Sequence, residues 1–498
     1  CMMEWTVSVT FFLVVFISFY LLLSSKRKRL HKKKLPPGPT PLPLIGNFLQ
    51  IKSSETLKSL LKIRDKYGPV FTVYFGSRPV LVLCGHDAVK EALIDKAEQF
   101  SGRITTPIFE QTFQQYGVVF ANGERWKQLR RFSLTILKNF GMGRKSIEER
   151  IQEEAQFLLE EFQKTKEKPF EPSSFLSRAV SNIICSIVFG DRFDYEDKEF
   201  QSLMEMIHNA FQEMSSTWSQ LYDIYVSFLK YFPGPHSRVH HILEELRLFI
   251  AKRVKKNQET LDSNSPRDFI DSFLIQIEKE KGNPDSGFDI KNLELTTLCL
   301  FFGGTETVSS TLRYGFLLLM KYPKVQAKVH DEIDRVIGHN RIPNIEDRSQ
   351  MPYTDAVIHE IQRFSDLLPM SVAHMVTCDT EFRGYFIPKG MIVYPMLTSV
   401  LHDPTMFKSP NVFNPENFLD ENGRFKTNDA FVPFSSGKRI CLGESLARME
   451  LFIFFTTILQ SFYLKSLVPP EDIDITPQEC GFATIAPLYQ LSIIPRRA

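Results

Sequence analysis

The chain lacks paired cysteines. Its seven (Cys1, Cys84, Cys185, Cys299, Cys378, Cys441 and Cys480) are scattered and odd in number, and no C-x-x-C occurs. That leaves no zinc-ligand spacing and no disulfide framework, and it suits a reducing compartment. H-E-x-x-H, the P-loop and G-x-S-x-G are also missing, so the signatures of zinc peptidases, P-loop nucleotide hydrolases and α/β-hydrolases are absent. Nothing resembles a flavin or dinucleotide domain, so any such chemistry has to reside on another protein. An excess of one charge sign is lacking too: 60 Lys and Arg against 58 Asp and Glu leave +2, which argues against nucleic acid as a partner. No Gly/Ser-rich linker follows residue 45, so the 498 residues read as one large domain behind an N-terminal segment. Phenylalanine, by contrast, is abundant: 44 of them suggest a large apolar core or pocket.

Residues 5–23 are apolar except for Thr6, Ser8, Thr10 and Ser18, close to the roughly 20 residues that span a bilayer. The basic block Lys26, Arg27, Lys28, Arg29, Lys32, Lys33 and Lys34 follows, with Glu4 on the other side. Positive charge marks the cytosolic flank, so the rest of the chain is expected in the cytosol. A cleaved signal peptide fits poorly, because the charge follows the apolar run and no small-x-small site is evident. Prolines 36, 37, 39, 41 and 43 make a stiff, extended segment. The expected division is a transmembrane anchor over 1–25, a basic and proline-rich linker over 26–45, and a catalytic domain over 46–498.

Periodic apolar patterns predict helices over 146–165, 199–215, 236–260, 291–321 and 444–462. A β-hairpin is expected from 71–75 and 80–83 around Gly76-Ser77-Arg78-Pro79, with further strands near 382–395 and 488–494. The class is mainly α with minor β. Residues 100–120 read as an irregular aromatic loop with Phe109, Phe113 and Phe120, long enough to have a function. The segment 215–240 mixes Trp218, Tyr222, Tyr225, Phe228, Tyr231 and Phe232 with the break Pro233-Gly234-Pro235.

Four patterns carry chemistry. In Phe434-Ser435-Ser436-Gly437-Lys438-Arg439-Ile440-Cys441-Leu442-Gly443 a cysteine stands between two glycines at the start of a helical run. The helix dipole and free N–H groups there stabilise a thiolate, a good soft-metal ligand; the bland reading is a buried cysteine beside a basic turn. Trp126 and Arg130 share a helix face, and an indole N–H with a guanidinium can grip a carboxylate, although an ordinary amphipathic helix would look the same. Gly303-Gly304-Thr305-Glu306-Thr307 breaks an apolar helix: its two glycines cost about 1 kcal/mol each, and polar groups there need partners. Such a violation marks either function or a packing notch. Glu360 and Arg363, three apart, can pair in a bidentate way.

Taken together, these elements resemble the cytochrome P-450 superfamily over essentially the whole chain, most nearly its microsomal family-2 members. The resemblance implies a P-450 fold behind a transmembrane helix, with haem b (iron protoporphyrin IX) as cofactor and Cys441 as the axial ligand of the haem iron, the superfamily being the standard example of thiolate ligation. Phe434 is then expected to pack on the thiolate side and Gly443 to tune the sulfur through its backbone. Arg439, Trp126, Arg130, His374 and Arg103 are expected at the haem propionates. Thr307 is expected to hydrogen-bond the iron-bound oxygen and Glu306 to supply protons through water. Phe109, Phe113, Phe301, Phe302, Leu368, Met370, Val372 and Phe482, with Ala483 and Ile485, are expected to face an apolar substrate.

The implied activity is an NADPH- and O2-dependent monooxygenase acting on fatty acids, steroids or xenobiotics. Electrons are expected from NADPH–cytochrome P-450 reductase, with cytochrome b5 an optional further partner, at the endoplasmic reticulum membrane with the catalytic domain on the cytosolic side. The cations Arg125, Lys127, Arg131 and Lys138 suit docking of an acidic redox partner, or simply a solvated face. Two departures stand out: Asn417 where relatives commonly carry Arg or His beside the Glu-Arg pair, and Ala373 where they often carry Pro. The alternatives are a haem-thiolate isomerase or dehydratase of lipid peroxides, and a non-catalytic lipid-binding membrane protein.

Overall fold

The computed structural model describes residues 35–52, 55–104, 106–142 and 145–496. The expected anchor and its basic flank lie outside these residues. Among the described residues no helix is long and apolar enough to cross a membrane.

The periodic stretches form helices Lys145–Lys164, Lys198–Ser215, Pro235–Glu259, Ile290–Lys321 and Glu444–Ser461. Side-chain chemistry sets several of their starts. Asp289 caps Ile290–Lys321 by accepting from the Asn292 N–H. Asp197 does the same for Lys198–Ser215, and Pro235 opens its helix at a position where no N–H is needed. The 32 residues of Ile290–Lys321 make a rod of about 48 Å. They pack against Ser173–Val188, Pro235–Glu259, Pro352–Ser365 and Glu444–Ser461. Being surrounded, this helix is apolar on most of its circumference.

Among the described residues the minor β component is one five-stranded sheet and three small pairs. The expected hairpin is strands Val70–Phe75 and Arg78–Cys84. Phe75 pairs with Arg78, so the turn is Gly76-Ser77 alone. Pro79 lies inside the second strand, just before its pairing with Ile392–Met396 begins at Val80, where a missing N–H breaks no ladder bond on that side. His374–Met375 follows as the next strand and Gly102–Arg103 as the edge. This order sets Arg103 directly opposite His374, side by side though 271 residues separate their numbers.

Residues 100–120 depart from the expected irregular loop. They hold the strand Gly102–Arg103 and two short helices, Pro107–Phe113 and Gly117–Phe120. Pro107 presets the helical φ at the first position, a local signal outweighed by the apparent aperiodicity. The proline segment is tied down as well. Pro37 accepts from the Thr72 N–H at 2.8 Å and Pro39 accepts from Asn47 Nδ2 at 3.2 Å, so the chain lies along the first strand from Pro36 onward.

The Glu360–Arg363 pair is wholly buried. Arg363 donates Nε and Nη2 to the two carboxylate oxygens at 2.7 Å each, and its remaining donors reach the carbonyls of Leu401 and Pro410 at 2.8 Å. Asn417 meets the same carboxylate at 3.2 and 3.3 Å. The amide therefore occupies the third corner as a neutral donor, leaving one cation to balance one anion. Breaking a buried pair strands a charge, so Arg363→Leu is expected to lower stability by about 3–5 kcal/mol. Asn417→Ala is expected to cost less, about 1.5–3 kcal/mol, since it removes hydrogen bonds to the carboxylate and no charge. Urea unfolding of the holoenzyme checks this, and equal losses would refute the asymmetry.

Candidate functional site

The loop 434–443 turns the chain sharply. Cys441 donates its N–H to the Phe434 carbonyl at 2.9 Å, closing the loop. Gly437 has φ +72°, and a Cβ there would stand 1.7 Å from the Leu93 carbonyl oxygen, so both the angle and the contact require glycine. Gly443 then caps the helix Glu444–Ser461. The Cys441 sulfur opens into an interior cavity of about 330 Å³. Cys441 is exposed to this cavity, yet the protein packed around the sulfur leaves it poorly solvated and raises its thiol above the usual range, while the Gly443 N–H and the Arg130 charge act in the opposite direction.

Four elements remote in sequence bring three cations, an indole and an imidazole to one end of this cavity. Arg103, Trp126, Arg130 and Arg439 line it, and His374 is buried behind Arg103. The Arg439 guanidinium lies 3.8 Å from the Trp126 ring centroid, a cation–π stack. It donates to the carbonyls of Ser101 at 2.8 Å and Ala121 at 2.7 Å. Arg130 donates to the Ile440 carbonyl at 2.7 Å, and Arg103 to the Val372 carbonyl.

Among the described residues no carboxylate pairs with any of the three arginines. Burial and mutual repulsion push Arg103 down to about 9 and Arg439 to about 8. Two donors, Arg103 Nε and Trp126 Nε1, are also buried without a partner among the described residues, as is the ring nitrogen His374 Nε2. His374 Nδ1 sits 2.7 Å from the Phe100 carbonyl and must carry a proton there. A carboxylate at Nε2 therefore has to find the ring doubly protonated, against burial and the Arg103 charge, which hold it well below the usual histidine value.

Such a concentration of uncompensated charge suits an anionic ligand and little else. The two propionates of an iron protoporphyrin supply the missing negative charge. The soft sulfur of Cys441 lies on the same cavity, and the aromatic surface beyond it suits a flat apolar ring. The residues present fit haem b.

Away from the cations the lining is almost wholly apolar. Phe113, Phe120, Phe109, Phe482, Phe211 and Phe302 run as a continuous aromatic wall with centroid separations between 4.6 and 6.2 Å. Phe109, Phe113, Phe302, Leu368, Val372 and Phe482 all face the cavity, as does Phe434 at its cysteine end. Phe301 does not: one residue round the helix, it packs against Phe189 at 5.5 Å. Met370 lines a smaller adjoining cavity of about 70 Å³. Ala483 and Ile485 are buried outside both, the Ala483 N–H bonding Ser215 Oγ at 3.1 Å. Phe211 and Cys299 line the cavity without having been singled out; both lie on apolar helix faces that periodicity assigns to core. Glu450, a carboxyl in an apolar helix, also lines it and is held well above its usual value by burial.

The two glycines of the polar break divide their tasks. A Cβ on Gly304 would meet Ile184 at 2.9 Å, so this glycine lets the central helix close on Ser173–Val188. Gly303 accepts the Thr307 hydroxyl at 2.7 Å. Thr307 lines the cavity, whereas Glu306 is buried to one side and does not.

A family model described as Cytochrome P450 matches residues 36–493. The chain belongs to the cytochrome P450 family. It is 60% identical to Cytochrome P450 2G1 of Rattus norvegicus over 485 residues, covering 97% of this chain and 98% of that one. It is 60% identical to the Oryctolagus cuniculus protein of the same name, covering 99% and 100%, and 59% identical to human Cytochrome P450 2A6, covering 97% and 98%. The chain is a family-2-like P450, a haem-thiolate monooxygenase that carries haem b. Members of the family use O2, a redox partner and lipophilic substrates.

Trp126→Phe keeps the stack on Arg439 and deletes only the N–H. Hydrogen bonds to charged groups contribute about 1.5–3 kcal/mol, so haem transfer to apomyoglobin is expected to quicken about 10-fold. An unchanged rate would mean that Nε1 does not face a carboxylate.

Proposed function

We propose that this protein is an NADPH-dependent monooxygenase of small lipophilic substrates, with Cys441 as the axial ligand of the haem iron. The observation that carries this reading is the convergence of one open thiol and three guanidiniums, unneutralised among the described residues, on a cavity whose remaining walls are mainly aromatic and aliphatic. Bound haem supplies the oxidising chemistry: RH, O2, two electrons and two protons give ROH and water.

The chain's own residues do the rest. Arg103, Arg130, Arg439 and Trp126 hold the propionates and fix the ring's orientation, and His374 joins them when doubly protonated. The Gly443 N–H tunes the sulfur, and Phe434 shields it. The aromatic wall excludes water and presents no charge, so substrate enters by burial of apolar surface. Thr307 is the one hydroxyl-bearing side chain of the polar break that faces the cavity. Its proton is committed to Gly303 at rest and returns to the cavity by a χ1 rotation, which makes it the group that positions the last proton. Glu306 is its neighbour and the stored acid.

Electrons come from NADPH–cytochrome P-450 reductase, with cytochrome b5 as a further donor, and the exposed cations Arg125, Lys127, Arg131 and Lys138 are the docking candidates. The fatty-acid, steroid and xenobiotic classes all fit an uncharged pocket. The protein works at the endoplasmic reticulum membrane with its catalytic domain in the cytosol. Supporting this, Leu44, Ile45, Phe48 and Leu49 are exposed apolar side chains just after the proline segment, and Tyr225 bonds the Ile45 carbonyl at 3.0 Å, joining them to the helix Thr217–Leu229.

Cys441→Ala is expected to abolish the strongly red-shifted Soret band of the reduced carbon monoxide complex, and its retention would rule out the ligand. Thr307→Ala is expected to keep that band while sending electrons to hydrogen peroxide instead of product. Unchanged coupling of NADPH to product would remove Thr307 from the mechanism.

A further inference from the structure

Glu306 has a specific partner outside the cavity. Its Oε1 lies 3.0 Å from His208 Nδ1 and accepts from Ser310 Oγ at 3.2 Å. Its Oε2 is buried with no partner. Glu306 is only 4% exposed while the His208 side chain, on helix Lys198–Ser215, is 27% exposed. The imidazole therefore spans the distance between solvent and the carboxyl, and it is the titratable side chain that does so among the described residues bonded to Glu306.

Gln212 sits one turn on, its amide 2.9 Å from His208 Nε2. That amide can serve both states of the ring: its NH2 donates to a neutral Nε2, and a half-turn presents its oxygen to an imidazolium. Burial opposes charge on His208, but the hydrogen bond and charge of Glu306 outweigh it and raise His208 above the usual histidine value. The other charges facing it are Arg313 and Glu171, which pair with one another at 3.3 Å and largely cancel.

We propose that His208 is the positioning residue through which protons reach Glu306 from solvent. This rests on the reading of Glu306 and Thr307 as the proton-delivering pair. An imidazolium at His208 gives its Nδ1 proton to the Glu306 carboxylate, leaving a neutral ring and a neutral acid beside Thr307. The ring is left protonated on Nε2; exchange through water moves that proton to Nδ1 after Glu306 has passed its own on, and uptake of a further proton from water at Nε2 restores the imidazolium for the second delivery. A purely structural ion pair would not need a titrating group at the water end, since a buried pair is replaceable by apolar side chains at little cost.

The test uses the holoenzyme with reductase and NADPH, and reads the fraction of consumed O2 released as hydrogen peroxide between pH 6 and 8.5, with no added substrate. In the native protein that fraction is expected to stay low while His208 is protonated and to climb as pH rises above the usual histidine range. His208→Gln and His208→Phe are expected to raise the fraction several-fold at pH 7 and to flatten the climb, with the reduced carbon monoxide band intact. If His208→Phe fails to load haem, His208→Gln carries the test. A native pH profile in these variants, alongside a high peroxide fraction in Glu306→Gln, overturns the His208 route and leaves Glu306 in place. No change in Glu306→Gln overturns the pair itself, and His208 with it.

Discussion

The structure depends on bringing together three guanidiniums, two buried and Arg130 half-buried, that no carboxylate among the described residues neutralises. Arg103, Arg130 and Arg439 come from a strand, a helix and a loop, and their meeting is favourable only with a dianion between them. Carbonyl oxygens of Ser101, Ala121, Val372 and Ile440 take up part of the donor capacity. They satisfy hydrogen bonds without supplying charge. The cavity end is thus electrostatically incomplete among the described residues, and the propionates of the family's haem would carry the charge that completes it. The burial of Glu360–Arg363 shows the opposite arrangement: a cation and an anion matched one to one, with Asn417 adding hydrogen bonds and no charge.

Around that constraint the helices do two kinds of work. Ile290–Lys321 is nearly surrounded, and its polar break sits where it borders the cavity. Gly304 admits Ser173–Val188, Thr307 faces inward, and Glu306 turns toward His208. Three consecutive functions on one turn follow from the 100° step between residues of a helix. Phe301 and Phe302 show the same geometry in apolar form, one packed on Phe189 and the other on the aromatic wall.

Much of the fold was legible in the amino-acid pattern. Amphipathic helices declare themselves through a period of 3.6, and caps such as Asp289 and Asp197 sharpen their ends. The loop 100–120 was not legible, because helices of four and seven residues are too short to show a period. The cysteine loop was legible because its glycines, cations and sulfur are local. The pocket was legible only in part: Phe109, Phe113, Leu368 and Phe482 line the cavity beside Cys441, while Phe301, Met370, Ala483 and Ile485 do not. Whether an apolar side chain on a buried helix faces a cavity or a neighbouring helix is a matter of rotation about the axis, and composition carries no information on that.

The sequence by itself determined the family, the helix boundaries, the thiolate loop and the pairing of Glu360 with Arg363, since each is written in short-range spacing. Only the tertiary structure decided that Arg103 stands opposite His374, that three arginines share one unneutralised site, that Asn417 completes the Glu360–Arg363 corner, and that Glu306 looks to His208 and not into the cavity. Those are contacts between residues tens to hundreds apart. Their energies depend on burial and distance, and neither exists until the sheet order and the helix packing are set.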